Sequence, residues 1–204
     1  MSDQTVIDQH VSGLDEILGK SAQLMAHLGY HGTSMRDLAQ VTGRSLSGLY
    51  HYFSNKEELL FLINQRGFTS LLAMSQDLLQ QDLTTEQRLS ALIHNHVRYF
   101  IDHLSEMRVM TSGSLEMNDQ RRLILWKLKE DYTQLGQKVV GDYMNAQAGH
   151  EHADDTISRK TYLLYGMMNW IFAWYAPKPH GNAAQVADDI YRTFTNGCCN
   201  TQEQ

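Results

Sequence analysis

Residues 33–60 read TSMRDLAQVTGRSLSGLYHYFSNKEELL, and the spacing within them decides the fold. Ser34 and Asp37 stand three apart, the interval at which a cap hydroxyl and a returning carboxylate close the first turn of a helix. Met35, Leu38 and Ala39 then make an apolar stripe at helical spacing. Gly43 punctuates the turn, because glycine accepts positive φ at little steric cost. Ser45 is placed to cap a second helix, whose inner side takes Leu46 or Leu49, then Tyr50 and Phe53. Ser54 and Glu57 repeat the cap spacing and open a third helix that runs from Lys56 toward Gln80. Two helices of about eight residues around a Gly-containing turn make a helix-turn-helix pattern. Isolated helices below roughly 12–15 residues are marginal in water, so this pair needs a third wall.

The upstream chain supplies one. Leu14, Ile17, Leu18, Ala22, Leu24, Met25 and Leu28 recur at helical spacing, and Gly29 follows where a left-handed C-cap is favoured. Residues 1–10 are polar and expected to fray. Downstream, helical stripes cover residues 85–103, a short piece near 105–113, Asn118 to about Met144, Thr156 to Tyr175, and Ala183 to Thr195. Pro177, Pro179 and Gly181 separate the last two, and Gly149–Asp155 (GHEHADD) is a polar loop. No period-2 strand pattern appears. The chain reads as all-α with about nine helices: an N-terminal helix-turn-helix domain over residues 11–65 and a C-terminal helical domain over 66–204.

Composition narrows the partners. The 204 residues carry a formal net charge of −6. Residues 1–60 hold Lys20, Arg36, Arg44 and Lys56 against Asp3, Asp8, Asp15, Glu16, Asp37, Glu57 and Glu58. Any DNA contact must therefore come from local placement of few cations, backbone amides and hydroxyls. The apolar run from Met167 to Ala176 is too short to span a bilayer, no basic segment followed by an apolar run opens the chain, and Cys198 and Cys199 are adjacent and staple nothing. A cytoplasmic protein is expected. Gly-rich phosphate loops, nucleophile elbows and His-Glu-x-x-His are absent, so no enzyme and no cofactor is expected. His150-Glu-His152 lacks the spacing of a zinc site, and a solvated loop is expected there, with no metal.

Thr33–Ala39, Gly43, Leu49–Phe53 and Lys56–Leu60 resemble the DNA-binding domain of TetR-family transcriptional regulators, in order and without gaps over about residues 13–65. The resemblance implies a homodimer that binds a double-stranded DNA operator, a near-palindrome with recognition helices about one DNA turn or a multiple apart. It also implies that the C-terminal domain over residues 66–204 dimerises and binds a small effector, which relieves repression. Transferred to this chain, Ser47, Gly48 and His51 face outward from the recognition helix, with Arg44 and Ser45 at its entrance. Tyr50, Tyr52 and Lys56 would grip phosphates, and Arg36 another. Leu46 stands where the family commonly has a phosphate-binding lysine, and Arg44 replaces an apolar residue and supplies the lost charge.

Gly166–Pro177 and Ala184–Ile190 are similar to the last two helices of a subgroup that senses acyl-CoA and related catabolic intermediates. Members often carry Arg where this chain has Ala176, with Lys178 nearby. His96, Tyr99 and His103 share one helix face and are read as polar contacts of an effector pocket, or else as a partly buried helix edge. Phe100, Met107, Met110, Trp126 and Trp170 are the candidate apolar lining. Tyr165, Met168, Trp174, Ile190 and Phe194 are the candidate dimer interface, since residues 156–175 are apolar on several faces. The other reading is a helical ligand-binding or scaffolding protein whose DNA binding is weak or lost.

Overall fold

The computed structural model describes residues 3–112 and 117–199, with side chains over 13–111 and 117–197. Eleven helical segments occur among the described residues, and no strand. They are α1 (Asp3–Leu28), α2 (Met35–Thr42), α3 (Leu46–Tyr50), α4 (Lys56–Gln80), α5 (Thr85–Asp102), α6 (Leu104–Ser112), α7 (Asp119–Ala148), α8 (Asp154–Asn169), α9 (Ile171–Trp174), α10 (Pro177–His180) and α11 (Ala183–Cys199). α9 and α10 are four-residue turns, which leaves nine longer segments. Among the described residues no helix is long and apolar enough to cross a membrane.

Two compact units share the chain, and α4 and α7 contribute to both. Unit 1 runs up to Gly67 and takes in Leu104–Trp126; unit 2 takes Phe68–His103 and the chain from Lys127. The inclusion of α6 in unit 1 has a clear cause. Arg66 donates through Nη1 to Asp15 of α1 at 3.0 Å and through Nη2 to Glu106 of α6 at 2.7 Å. Burial opposes the guanidinium charge, but the Glu106 and Asp15 carboxylates overcome it and raise its pKa. Met107 and Met110 press on Gly67, where an added Cβ would lie 2.6 Å from the Met110 sulfur.

α1 begins at Asp3, upstream of the apolar stripe that opens at Leu14. No proline interrupts residues 3–12, so the helix propagates over residues expected to fray. Within the quoted stretch, Ser34 and Asp37 form the reciprocal capping box, and Gly43 takes a left-handed conformation at φ 69°. Its amide donates to Gln40 at 3.2 Å. A Cβ added at Gly43 would meet no atom within 4 Å, so Gly43→Ala tests backbone strain alone; it is expected to cost about 1 kcal/mol by urea denaturation.

The second capping box is displaced by one residue. Asn55 is the cap, accepting from the Glu58 N–H at 2.8 Å, and Glu58 rather than Glu57 reaches back to the Ser54 N–H at 2.7 Å. The Ser54 hydroxyl and amide hold the Glu58 carboxyl below its usual range. Glu57 instead accepts from the Asn118 N–H at 2.9 Å and pairs with Arg121 at 3.0 Å, anchoring the start of α7. Both contacts lower its pKa, the Asn118 amide most.

In unit 2, α11 packs along α5, and α8 touches both. Leu92, Ile93 and Val97 of α5, Leu164 and Met168 of α8 and Ala187 of α11 are sealed from solvent. The helix expected over 156–175 is interrupted at Trp170, so α8 stops at Asn169 and α9 adds one turn. Ala176, preceding Pro177, is extended (φ −141°, ψ 131°), as the proline ring requires of its predecessor.

Candidate functional site

Leu38 of α2 and Leu49 of α3 are fully buried, and Phe53 nearly so. They hold α3 against α2 and leave its other face in water. Leu49 is therefore the inner residue; Leu46 is partly exposed, and Tyr50, expected inside, is half exposed. A five-residue helix has room for one buried side chain per turn, and after Tyr50 the chain turns back with the Tyr52 N–H donating to the Leu49 carbonyl at 2.9 Å. Ser45, Ser47, Tyr50 and His51 form an exposed polar face, with Arg36 exposed on α2 and Gly48 half-buried. Ser45 Oγ accepts from the Gly48 N–H at 3.0 Å and lies 3.0 Å from Ser47 Oγ. A Cβ at Gly48 would stand 3.2 Å from Ser45 Oγ, so glycine there keeps the cap undisturbed.

The cations are more committed than their sequence positions suggest. The Lys56 ammonium donates to the Tyr30 carbonyl at 2.6 Å and the Thr33 carbonyl at 2.8 Å, and lies 4.2 Å from the Tyr30 ring centroid. It ties the α1–α2 connection to the start of α4, which leaves one of its three N–H donors for anything else. The Arg44 guanidinium sits over the Tyr52 ring at 5.1 Å. Gly13 of α1 permits this stack, since a Cβ would fall 2.8 Å from Tyr52 Oη and 3.2 Å from Arg44. Arg44 also helps lower the pKa of Glu16, after the larger effects of Lys20. Sequence reasoning missed these ties because the Lys56 contacts span more than twenty residues and the Arg44–Tyr52 stack follows no helical spacing.

A second constellation lies in unit 2. His96 of α5 is buried, stacked on Phe100 at 4.2 Å and within 5.8–5.9 Å of the Tyr132 and Tyr165 rings. Its Nδ1 is 2.7 Å from Tyr132 Oη, while Nε2 is buried with no hydrogen-bond partner. Burial lowers its pKa to about 3, with a weaker opposing pull from Asn169, so the ring is neutral. Burial raises Tyr132 and Tyr165 well above the usual phenol range, so both keep their protons. Tyr99 is buried beside them on α5, stacked on His103 at 4.2 Å; His103 Nδ1 reaches the Tyr99 carbonyl at 2.9 Å. Tyr132 and Tyr165 were not expected in this group. Their period on α7 and α8 was legible, but not which neighbour it faced.

The remaining candidates divide. Met107 and Met110 are buried in unit 1 against Gly67, and Trp126 is 57% exposed. Trp170 is 63% exposed, placed outside the aromatic cluster because it follows the last residue of α8. It lines an open groove of about 880 Å³ with Tyr162, Leu163, Trp174 and Ile190. Of the expected dimer residues, Trp174 and Ile190 border that groove, whereas Tyr165, Met168 and Phe194 are buried within unit 2. Helical phase explains the correction: Thr161, Leu164, Tyr165 and Met168 share the inner face of α8, leaving Tyr162 and Leu163 outward. Among the described residues no three His, Cys, Asp or Glu side chains converge as a metal site, and the side chains of Cys198 and Cys199 lie outside the described residues.

Comparison with known proteins agrees with this arrangement. Residues 17–63 match the family model for bacterial regulatory proteins of the TetR family. Residues 82–198 match the tetracyclin repressor-like C-terminal domain. The HTH-type transcriptional repressor KstR2 of Mycobacterium tuberculosis is 25% identical over 186 residues, covering 89% of this chain and 90% of its own. The TetR-family regulator PfmR of Thermus thermophilus superposes with a TM-score of 0.78 at 26% identity, covering 88% of this chain and 97% of that one. AibR, solved with isovaleryl coenzyme A and operator DNA, superposes with a TM-score of 0.74 at 23% identity over 89% of this chain and 97% of its own. With both halves matched in order, the chain belongs to the TetR family of bacterial transcriptional regulators, DNA-binding proteins rather than enzymes.

Proposed function

We propose that this protein is a cytoplasmic homodimeric repressor that leaves a near-palindromic operator when an apolar, acyl-CoA-like effector enters unit 2. The observation that carries the reading is the exposed polar face of α3, where Ser47, Tyr50 and His51 stand in solvent over the buried Leu49. A helix so short and so anchored presents side chains and does little else. Base contacts are assigned to Ser47, Gly48 and His51, and phosphate contacts to Arg36, Arg44, Ser45, Tyr50, Tyr52 and the remaining donor of Lys56. KstR2 is a repressor by name, and AibR holds an acyl-CoA together with its operator; both support the direction of control and the ligand class. The effector contacts are assigned to His96, Tyr99, Phe100 and His103 of α5.

The second copy is assigned to the groove face of α8, α9 and α11. Tyr162, Leu163, Trp170 and Trp174 are between 41% and 63% exposed, a cluster of large apolar groups that a symmetric partner removes from water. Light scattering at micromolar concentration is expected to return twice the 23.4 kDa chain mass; a monomer mass contradicts the dimer.

A gel shift with the DNA upstream of the protein's own gene tests the whole. A sequence-specific shift relieved by an acyl-CoA is expected, and no shift at low salt favours a ligand-binding or scaffolding role. The engagement of Lys56 and Arg44 within the chain is what favours weak DNA binding as the second reading. With Arg36 and Arg44 as the main phosphate cations of each protomer, the slope of log K against log salt is expected to be no steeper than about −4.

A further inference from the structure

We infer that the loop between α7 and α8 holds a site for a divalent transition-metal ion such as zinc or nickel, with His150 and His152 as its two protein ligands through Nε2. The site stands apart from the operator and effector readings and needs neither.

Hydrogen-bond acceptors fix both rings. The His152 backbone N–H donates to Asn145 Oδ1 at 2.8 Å, so the atom there is the amide oxygen and not its nitrogen. The same oxygen lies 3.1 Å from His152 Nδ1, and an oxygen that only accepts requires the proton on Nδ1. His150 Nδ1 stands 3.2 Å from the Ala148 carbonyl oxygen, which again only accepts, so this nitrogen carries its proton too. Each neutral ring is left with a bare Nε2. A metal-bound histidine is commonly held in this way, one ring nitrogen donating to an oxygen while the other ligates.

Placement sets the two bare nitrogens on one side. Asn145 and Ala148 are three residues apart at the end of α7, hence on one helix face, and both rings turn Nδ1 toward it. Both Nε2 atoms therefore point away from that helix end. The ring centres are 4.9 Å apart and the planes 24° from parallel. An ion about 2.1 Å from each Nε2 would lie about 3.2 Å from each ring centre, so the 4.9 Å separation matches an N–metal–N angle of about 100°. That angle lies between tetrahedral and octahedral, and imidazole suits both zinc and nickel. The carbonyl end of α7 and the exposed Glu151, Asp154 and Asp155 favour a cation. Two protein ligands leave the remaining positions to water, so the ion exchanges with solvent, unlike one in a four-ligand structural site. The His-x-His spacing alone points to a solvated loop, because it leaves each tautomer open.

Two measurements test the site on the full-length chain carrying Cys198→Ser and Cys199→Ser, which removes competing thiols. Long-range proton–nitrogen NMR of the metal-free, histidine-labelled protein at pH 8 is expected to show His150 and His152 with the proton on Nδ1. The signals are assigned by their loss in His150→Ala and His152→Ala. A proton on Nε2 in either residue overturns the proposal. Titration calorimetry with zinc and nickel chloride is expected to show one ion per chain, bound at least about tenfold more weakly by His150→Ala and by His152→Ala. Asn145→Ala removes the oxygen that orients His152 and should weaken binding about tenfold, whereas Asn145→Asp keeps an oxygen there and should not. No binding of either ion, binding unchanged in either histidine variant, or equal weakening by Asn145→Ala and Asn145→Asp overturns it.

Discussion

Arg66→Met is expected to lower folding stability at pH 7 by about 3–5 kcal/mol. The guanidinium bridges Asp15 on α1 and Glu106 on α6, and its side chain is 22% exposed while that of Glu106 is 8% exposed. Glu106 Oε1 is bound to Arg66, but Oε2 is already buried without a partner. Removing the arginine leaves a buried carboxylate with no counter-ion, and the desolvation it has suffered is no longer offset. The Asp15 arm matters less, because that carboxylate is over half exposed and water replaces the lost contact. Arg66→Met combined with Glu106→Met is therefore expected to recover most of the loss, as buried ion pairs replaced by apolar groups commonly do. Urea denaturation of the two variants checks both statements. Equal loss in single and double variants would show that packing around α6, and not the ion pair, fixes it in unit 1.

Acidification from pH 6.5 to 4.5 is expected to reduce stability at up to about 1.4 kcal/mol per pH unit through His96 alone. Burial lowers the folded pKa of this imidazole from 6.5 to about 3. Across that interval the unfolded chain binds a proton at His96 that the folded chain refuses. The unfolded state therefore holds more protons, and stability falls as pH falls. Glu57 and Glu58, whose folded pKa values are lowered from 4.5, act in the same direction but lose their contribution only below 4.5. The window above 4.5 thus isolates the histidine from them. His96→Phe with Tyr132→Phe removes both hydrogen-bonding partners in similar shapes, so stability at pH 7 is expected to stay within about 1–2 kcal/mol. The slope between pH 6.5 and 4.5 should fall by roughly the histidine's share, up to about 1.4 kcal/mol per unit. Chemical denaturation at each pH reads it, and an unchanged slope would place His96 in contact with water.

Local signals were the legible part of this fold. The Ser34–Asp37 box, the left-handed Gly43 and the Ser45 cap each involve residues within four positions of one another, and each stands where the spacing put it. The cap of α4 fell one residue away because Asn55 competes with Ser54 for the same role, and a neighbouring Glu57–Glu58 pair serves either. Phase was harder than period. On α8 both faces are apolar, so the sequence shows a helix without telling which side meets its own core; Tyr165 and Met168 turned inward, Tyr162 and Leu163 outward. Tyr50 faces solvent for a similar reason, since a five-residue helix buries only Leu49. Long-range pairings left no trace in the sequence. Lys56 on the Tyr30 and Thr33 carbonyls, Arg66 on Glu106 and His96 on Tyr132 each span more than twenty residues. They are also the contacts that commit charges and protons, so the chemistry was less legible than the fold.

Footprinting of the protein on the DNA upstream of its own gene, at low and physiological salt, tests the central claim most directly. Protection of two inverted half-sites, one DNA turn or a multiple apart, is expected, and it should be lost when Ser47 and His51 are replaced by alanine with the fold intact. Uniform, sequence-independent protection, or none at low salt, would contradict operator recognition through α3.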